Sequence, residues 1–444
     1  MQENRSNKIT NINDYRKQRA RLSDERTTDR KTIGRKITDN KTTERKASER
    51  KASERKTSDR KQPSPTSSKI RKTKQVDFML MLMILSLVLF GLVMIFSASY
   101  YQAIDRYADM FYFLKRQGMW VFLGIFTMIV IMNINYKLWG KVSMIAYVGS
   151  IGLLGTVLVM GFVAKGAARW FKVVGGASIQ PSEFTKIAVI LFLANLLCKK
   201  DGEKMTGTDI IKYILYLILP VLLVMIENIS TSLVILVIGV TMLFIKIMDV
   251  KVLYITSAIC VIGYMALYYA VPMMNLTEYV PEKYKSRIHR IEVWLDPWAD
   301  PQGAGFQTIQ SLYAVGSGGV WGLGLGESRQ KLGYIPEAHN DIIFSIICEE
   351  LGLVGATVLI FVFLMLIWKG IKISTRAPNM YSSLVAIGIT TMVAVQVIIN
   401  IAVITNTIPV TGMPLPFISY GGSSLLTLLI SMGILLNISK YAKE

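Results

Sequence analysis

Over the first 76 residues polar and charged positions follow one another with almost no large apolar side chain between them, and neither a helical nor a strand period emerges. From Phe78 the pattern changes. Apolar runs of roughly 20 residues alternate with short polar breaks, which is the length a helix needs to cross about 30 Å of hydrocarbon. Ten runs are predicted as membrane spans, near residues 78–98, 118–134, 142–163, 182–198, 211–226, 229–248, 252–271, 342–368, 383–405 and 422–439. The second, fourth, fifth and tenth are short or interrupted, the fifth by Pro220. The expected fold class is therefore an all-α polytopic membrane protein with about ten transmembrane helices, both termini on one side, and a large loop, residues 272–341, between spans 7 and 8.

Composition agrees with lipid as the solvent: 52% of the 444 residues are hydrophobic and 18% charged, against about a quarter charged in soluble domains. The net charge of +20 would suggest nucleic acid, but 24 Lys and Arg against 10 Asp and Glu lie in residues 1–76, so the basicity belongs to a tail. That tail repeats a five-residue unit from Glu44-Arg45-Lys46-Ala47-Ser48 onward and cannot bury apolar surface. It is expected to be disordered, cytoplasmic and held near anionic membrane lipids, its Ser and Thr residues offering phosphorylation as a second use. Polar residues this numerous before the first apolar run also exclude a cleavable signal peptide. Residues 77–444 are then the membrane domain.

With the tail inside, Lys137, Lys141, Lys199, Lys200, Lys204, Lys246, Lys251, Lys369, Lys372, Arg376, Lys440 and Lys443 all fall on the cytoplasmic side, as the positive-inside rule asks. The outer face carries residues 99–117, 164–181, 272–341 and 406–421. No Walker motif, paired cysteine spacing or Cys/His cluster is present, so ATP-driven chemistry, a disulfide framework and a zinc site are not expected. Candidate chemistry lies in the outer loops. Glu183 and Lys186 stand three residues apart behind Pro181, either as an ion pair at the lipid boundary or, with Arg169, as a clamp for an anionic headgroup. The long loop holds Asp296, Asp300, Arg329, Lys331, His339 and Asp341, with glycines from Gly303 to Gly326 that suit close backbone packing or phosphate-facing turns. Basic residues on the outer face fit an anionic headgroup or a pyrophosphate, or else a solvated mixed-charge loop.

The sequences Gly166 to Trp170, Gln180-Pro181-Ser182-Glu183, Asp300-Pro301-x-Gly303-x-Gly305, Pro336-Glu337-x-His339-x-Asp341 and Pro409 to Ser424 occur in an order that resembles the SEDS family (shape, elongation, division and sporulation proteins). The resemblance covers residues 78–440. Gln310-Ser311-Leu312 and the last two motifs look more like the division and sporulation branch, FtsW and SpoVE, than the elongation branch, RodA. Two positions depart from the family pattern: Glu227-Asn228-Ile229-Ser230-Thr231 stands where many relatives have Pro-Asp-x-Gly-Thr, and Phe306 where Tyr is frequent.

The resemblance implies a peptidoglycan glycosyltransferase that polymerises lipid II into β-1,4 glycan strands at the outer face of the bacterial cytoplasmic membrane, for septal wall synthesis. The donor is α-linked, so a β product calls for one inverting displacement and one carboxylate base. Asp300 matches the family's catalytic aspartate; Asp296 is the local alternative. Arg169, Lys186, Arg329 and Lys331 are the candidate pyrophosphate clamps, Glu183 the partner of Lys186, and His339 and Asp341 with Glu349 and Glu350 a polar cluster that either positions the loop or serves only as a buried network. No cofactor is required, although a divalent cation fits a pyrophosphate chemistry. The implied partners are a class B penicillin-binding protein and other divisome components. A lipid II flippase, with ionisable groups near the bilayer midplane, and a non-catalytic scaffold that recruits the transpeptidase are the alternatives.

Overall fold

A computed structural model describes residues 76–160, 162–164, 167–172, 178–198, 205–247, 290–303, 305–332, 335 and 337–442. The expectations for the basic tail, for a seventh span at 252–271 and for the loop from 272 to 289 lie outside the described residues, as does the side chain of Arg169. Nine helices among the described residues are long and apolar enough to cross a membrane: α1 (Phe78–Tyr107), α2 (Tyr112–Asn133), α3 (Tyr136–Met160), α4 (Pro181–Cys198), α5 (Gly207–Glu227), α6 (Ile229–Ile247), α8 (Ile343–Thr375), α9 (Met380–Ile404) and α10 (Gly422–Ser439). The shorter α7 (Phe306–Ser317) lies in the long connection before α8.

Helices α1 to α6 alternate in direction, as do α8 to α10, so connections gather at two ends. At the short-turn end α2 meets α3, α4 meets α5 and α8 meets α9; at the loop end lie residues 108–111, 161–180, 290–342 and 405–421. Within the 161–180 connection the strands β1 (Phe162–Ala164), β2 (Ala167–Lys172) and β3 (Ser178–Ile179) form an antiparallel ribbon in that order. Its pairing satisfies backbone groups that a loop near hydrocarbon would leave bare.

Helices α4, α9 and α10 form the centre, with 78, 67 and 72% of their apolar windows buried, whereas α2, α3 and α5 bury 28% and turn the rest outward. In lipid there is no hydrophobic drive between helices, so polar contacts and close packing must hold them. Asn437 on α10 donates to Met132 O on α2 (2.7 Å), and Tyr213 on α5 donates to Gly239 O on α6 (2.7 Å). Pro220 lacks the N–H that Tyr216 O would accept within α5. That carbonyl instead accepts from the Tyr147 hydroxyl of α3 at 2.7 Å, which explains how a proline sits inside a spanning helix. At the short-turn end Asp77, the N-cap of α1, accepts from Leu80 N (3.0 Å) and pairs with Lys369 of α8 at 2.9 Å.

Candidate active site

The loop end is organised by a break in α8. Gly352 adopts φ 66° and ψ −167°, so the helical bonds from Leu353 N to Glu349 O and from Val354 N to Glu350 O cannot form. The loop after α7 replaces all four lost partners: Leu323 N and Gly324 N donate to Glu349 O (2.9 Å) and Glu350 O (3.0 Å), while Leu353 N and Val354 N donate to Gly319 O (2.9 Å) and Val320 O (3.1 Å). A Cβ at Gly352 or Gly322 would overlap the opposing backbone, so this approach requires glycine on both sides.

The break aims the side chains of Glu349 and Glu350 into a buried polar network. Lys331 Nζ lies 2.7 Å from Glu350 Oε1, with exposures of 1 and 0%. Ser97 of α1 donates to both Glu350 oxygens (2.6 and 2.8 Å), and Lys331 Nζ reaches Ser97 Oγ at 3.1 Å and stands 5.1 Å from the centre of the Tyr100 ring. Glu349 accepts from Ser328 Oγ (2.5 Å) and Arg329 N (3.0 Å). Charges this deep persist only when paired and fully hydrogen-bonded. A second pair sits at the same end of the central helix: Lys186 Nζ bonds Glu183 at 2.9 and 3.0 Å, with exposures of 2 and 8%. Thus Lys186 and Lys331 are sequestered with carboxylates, whereas the Arg329 side chain is exposed.

Asp300 belongs to a separate turn. Asp296 accepts from Trp298 N (3.1 Å) and opens a 3-10 turn, Pro297–Ala299, after which Asp300 accepts from Gly303 N through Oδ1 (3.0 Å) and from Gly305 N through its carbonyl (3.1 Å). A Cβ at residue 303 would overlap the Asp300 carboxylate, and one at 305 would overlap Pro297 O, so the glycines let the chain wrap this acid. The turn leads directly into α7, whose N-terminal dipole favours a carboxylate nearby. It is fixed to the bundle by Trp294 Nε1, which donates to Asn406 O at 3.0 Å, and by Asn406 Nδ2, which donates back to Trp294 O at 3.3 Å. Asp300 is half-buried and Asp296 exposed.

His339 and Asp341 lie just before the start of α8, each with contacts to neighbouring segments. The His339 ring packs on Phe113 (4.3 Å) and Tyr420 (5.3 Å), and its carbonyl accepts from Tyr420 N (2.9 Å). Asn400 of α9 donates to Asp341 O (2.7 Å) and Met413 O (2.8 Å), tying the start of α8 to the 409–421 segment. Arg169 is placed only by its backbone, in β2. Glu227, the acid at the departure from the family pattern, is buried at the end of α5. Among the described residues no group of three or more His, Cys, Asp or Glu is arranged to hold a metal ion. Ser97 and Ser328 are network members that sequence reasoning missed. Ser97 lies in an apolar run with nothing to mark it, but Ser328 adjoins the predicted cations Arg329 and Lys331.

A family model described as "Cell cycle protein", for FtsW, RodA and SpoVE, matches residues 77–444. The chain is 40% identical over 376 residues to stage V sporulation protein E of Bacillus subtilis, covering 84% of this chain and 99% of that one. It is 40% identical over 378 residues to a probable peptidoglycan glycosyltransferase FtsW of Geobacter sulfurreducens, covering 84 and 98%. Among solved structures, a chain from work described as "Structural coordination of polymerization and crosslinking by a peptidoglycan synthase complex" is similar at 27% identity and TM-score 0.65, over 82% of this chain and 97% of that one. The rod shape determining protein RodA of Thermus thermophilus shares the fold at 24% identity and TM-score 0.58, over 83 and 98%.

Proposed function

The chain belongs to the cell cycle protein family of FtsW, RodA and SpoVE, and from that premise we propose that it is a peptidoglycan glycosyltransferase that polymerises lipid II, with Asp300 as its base. The observation that carries the assignment of the base is the turn at residues 296–305, in which Gly303 leaves room for the Asp300 carboxylate and Gly305 for the backbone of Pro297 and Asp300 at the N-terminal edge of α7. The acceptor hydroxyl gives its proton to Asp300 as its oxygen attacks the anomeric carbon, and the bond to undecaprenyl pyrophosphate breaks in the same displacement. The configuration inverts and no covalent sugar intermediate is needed.

Arg329, exposed beside the buried network, is positioned to meet the leaving pyrophosphate, with Arg169 as a second cation from the β-ribbon segment. Lys186 is neutralised within α4 by Glu183, and Lys331 ties the loop to α8 through Glu350 and to α1 through Ser97. The loop end faces outward and both termini face the cytoplasm, a reading supported by the distribution of Lys and Arg. A class B penicillin-binding protein is the proposed partner, at the septum, alongside other divisome components; the resemblance to a peptidoglycan synthase complex and to division and sporulation relatives supports this.

Glycan-strand synthesis from labelled lipid II by the purified protein with its transpeptidase tests the assignment. Asp300→Asn is expected to lower the rate roughly 10²- to 10⁴-fold with the complex intact. Polymer formed at the wild-type rate by that variant removes Asp300 as the base, and no polymer from an assembled wild-type pair favours a flippase or a scaffold.

A further inference from the structure

At the short-turn end, away from the candidate active site, a cavity of ≈ 530 Å³ opens between α3, the end of α4 and the start of α9. Among the described residues it is lined by Tyr136, Lys137, Gly140, Lys141, Asn195, Cys198, Asn379 and Tyr381, two lysines and no carboxylate. The walls are joined by hydrogen bonds. Asn195 of α4 donates to Gly140 O and Ser143 Oγ of α3, each at 3.0 Å, and Asn379, the N-cap of α9, donates to Tyr136 Oη at 3.1 Å.

Three donors remain unused there. Lys137 and Lys141, one helical turn apart on α3, are exposed and make no ion pair among the described residues. The Tyr381 hydroxyl is buried without any hydrogen-bond partner. A hydroxyl removed from water and left unpaired is unfavourable, and buried polar groups are ordinarily satisfied. Two ammonium groups and a hydroxyl, with no acidic side chain among them, make an acceptor-rich anion the complementary ligand. Lysine binds phosphate as a point charge and does not impose the planar fork geometry of arginine.

We propose that this cavity binds a phosphate group, brought either by the headgroup of an anionic phospholipid in the adjoining leaflet or by free phosphate. The cavity lies where α3 and α9 begin and α4 ends, so its mouth stands at headgroup depth. Its phosphate would take bonds from Lys137 Nζ, Lys141 Nζ and Tyr381 Oη and tie α3 to α9 at one membrane edge. This inference does not depend on the polymerase reading, because no residue is shared between the two sites.

The test uses the full chain in nanodiscs of phosphatidylcholine, with phosphatidylglycerol added in one arm and inorganic phosphate in the other. Retained lipid is counted by native mass spectrometry, and phosphate binding is measured by equilibrium dialysis, both at salt high enough to screen the basic tail. Lys137→Gln with Lys141→Gln is expected to weaken binding roughly tenfold or more in the arm that supplies the ligand. Tyr381→Phe, which keeps the ring and removes only the hydroxyl, should weaken it several-fold. Lys212→Gln, an exposed lysine at the same end on α5, should leave it unchanged. Loss in the lipid arm identifies the headgroup as the source, and loss in the phosphate arm identifies the free anion. Binding unaffected by the double substitution in both arms, or weakened equally by Lys212→Gln, overturns the proposal.

Discussion

Removing the charge of Glu350 while keeping Lys331 tests whether the loop-end network carries structural free energy. In the native protein the Lys331 ammonium is 1% exposed, 2.7 Å from Glu350 and 3.1 Å from Ser97 Oγ. Glu350→Gln leaves an unpaired cation at a position closed to solvent, and breaking a buried pair in this way costs about 3–5 kcal/mol. Ser97 and the Tyr100 ring remain as partial partners, so the lower end, about 3 kcal/mol, is expected. Lys331→Met in the wild-type background strands the carboxylate and should cost a similar amount. The double variant removes both charges and keeps the volume, so its cost should be about 1–2 kcal/mol, far below the sum of the singles. Equilibrium unfolding in mixed detergent, followed by tryptophan fluorescence, measures all four corners of the cycle. Costs that add within about 0.5 kcal/mol would show that the two groups do not act as a pair, and the reasoning would fail.

Gly352→Ala places a Cβ against Gly322 N and Val320 O at a backbone conformation that L side chains avoid, and should destabilise by about 3 kcal/mol or more. Gly149→Ala, in α3 with open space around it, should be neutral or slightly stabilising in the same unfolding measurement. Tyr147→Phe should cost about 1–2 kcal/mol, because Tyr216 O above Pro220 then has no partner. The Asp109 carboxyl, between α1 and α2, is held below the usual carboxylate range by the Lys115 ammonium and by the Phe111 amide. Its contribution to this turn is therefore complete above the unfolded-state pKa and lost as the pH falls through the lowered one; in a carboxyl NMR titration Lys115→Gln should move the midpoint upward.

The apolar runs located the described spans closely, since hydrocarbon imposes length and composition on any helix that crosses it. The runs at 182–198, 229–248 and 422–439 correspond to Pro181–Cys198, Ile229–Ile247 and Gly422–Ser439. Elsewhere helices outrun their apolar stretch: α1 continues through Tyr100, Tyr101 and Gln102 to Tyr107, and α8 through Lys369 and Lys372 to Thr375, because intrahelical bonds persist beyond the lipid boundary. The β-ribbon at 162–179 and the helix α7 were less legible, being set by tertiary context in loops of mixed polarity. The break at Gly352 was hidden for a different reason. Leu351-Gly352-Leu353-Val354 reads as uninterrupted apolar helix, and its partners come from loop residues 319–324. The acids Glu349 and Glu350 were visible as charges in a span, but the bond between Glu350 and Ser97, over 250 positions away, is a product of packing.

The break in α8 also constrains how the two faces of the membrane communicate. Residues 319–324 are bonded through four backbone groups into a helix that continues about 35 Å beyond Gly352. Any displacement of that loop that parted those bonds would strand the groups at a depth where hydrocarbon supplies no substitutes. The economical response is for the loop and helix to move together, as a crank and its shaft. Near the far end of that shaft Lys369 grips Asp77, the residue from which α1 starts. The broken helix is thereby tied to the first helix near both surfaces, by Glu350 and Ser97 at one and by Lys369 and Asp77 at the other.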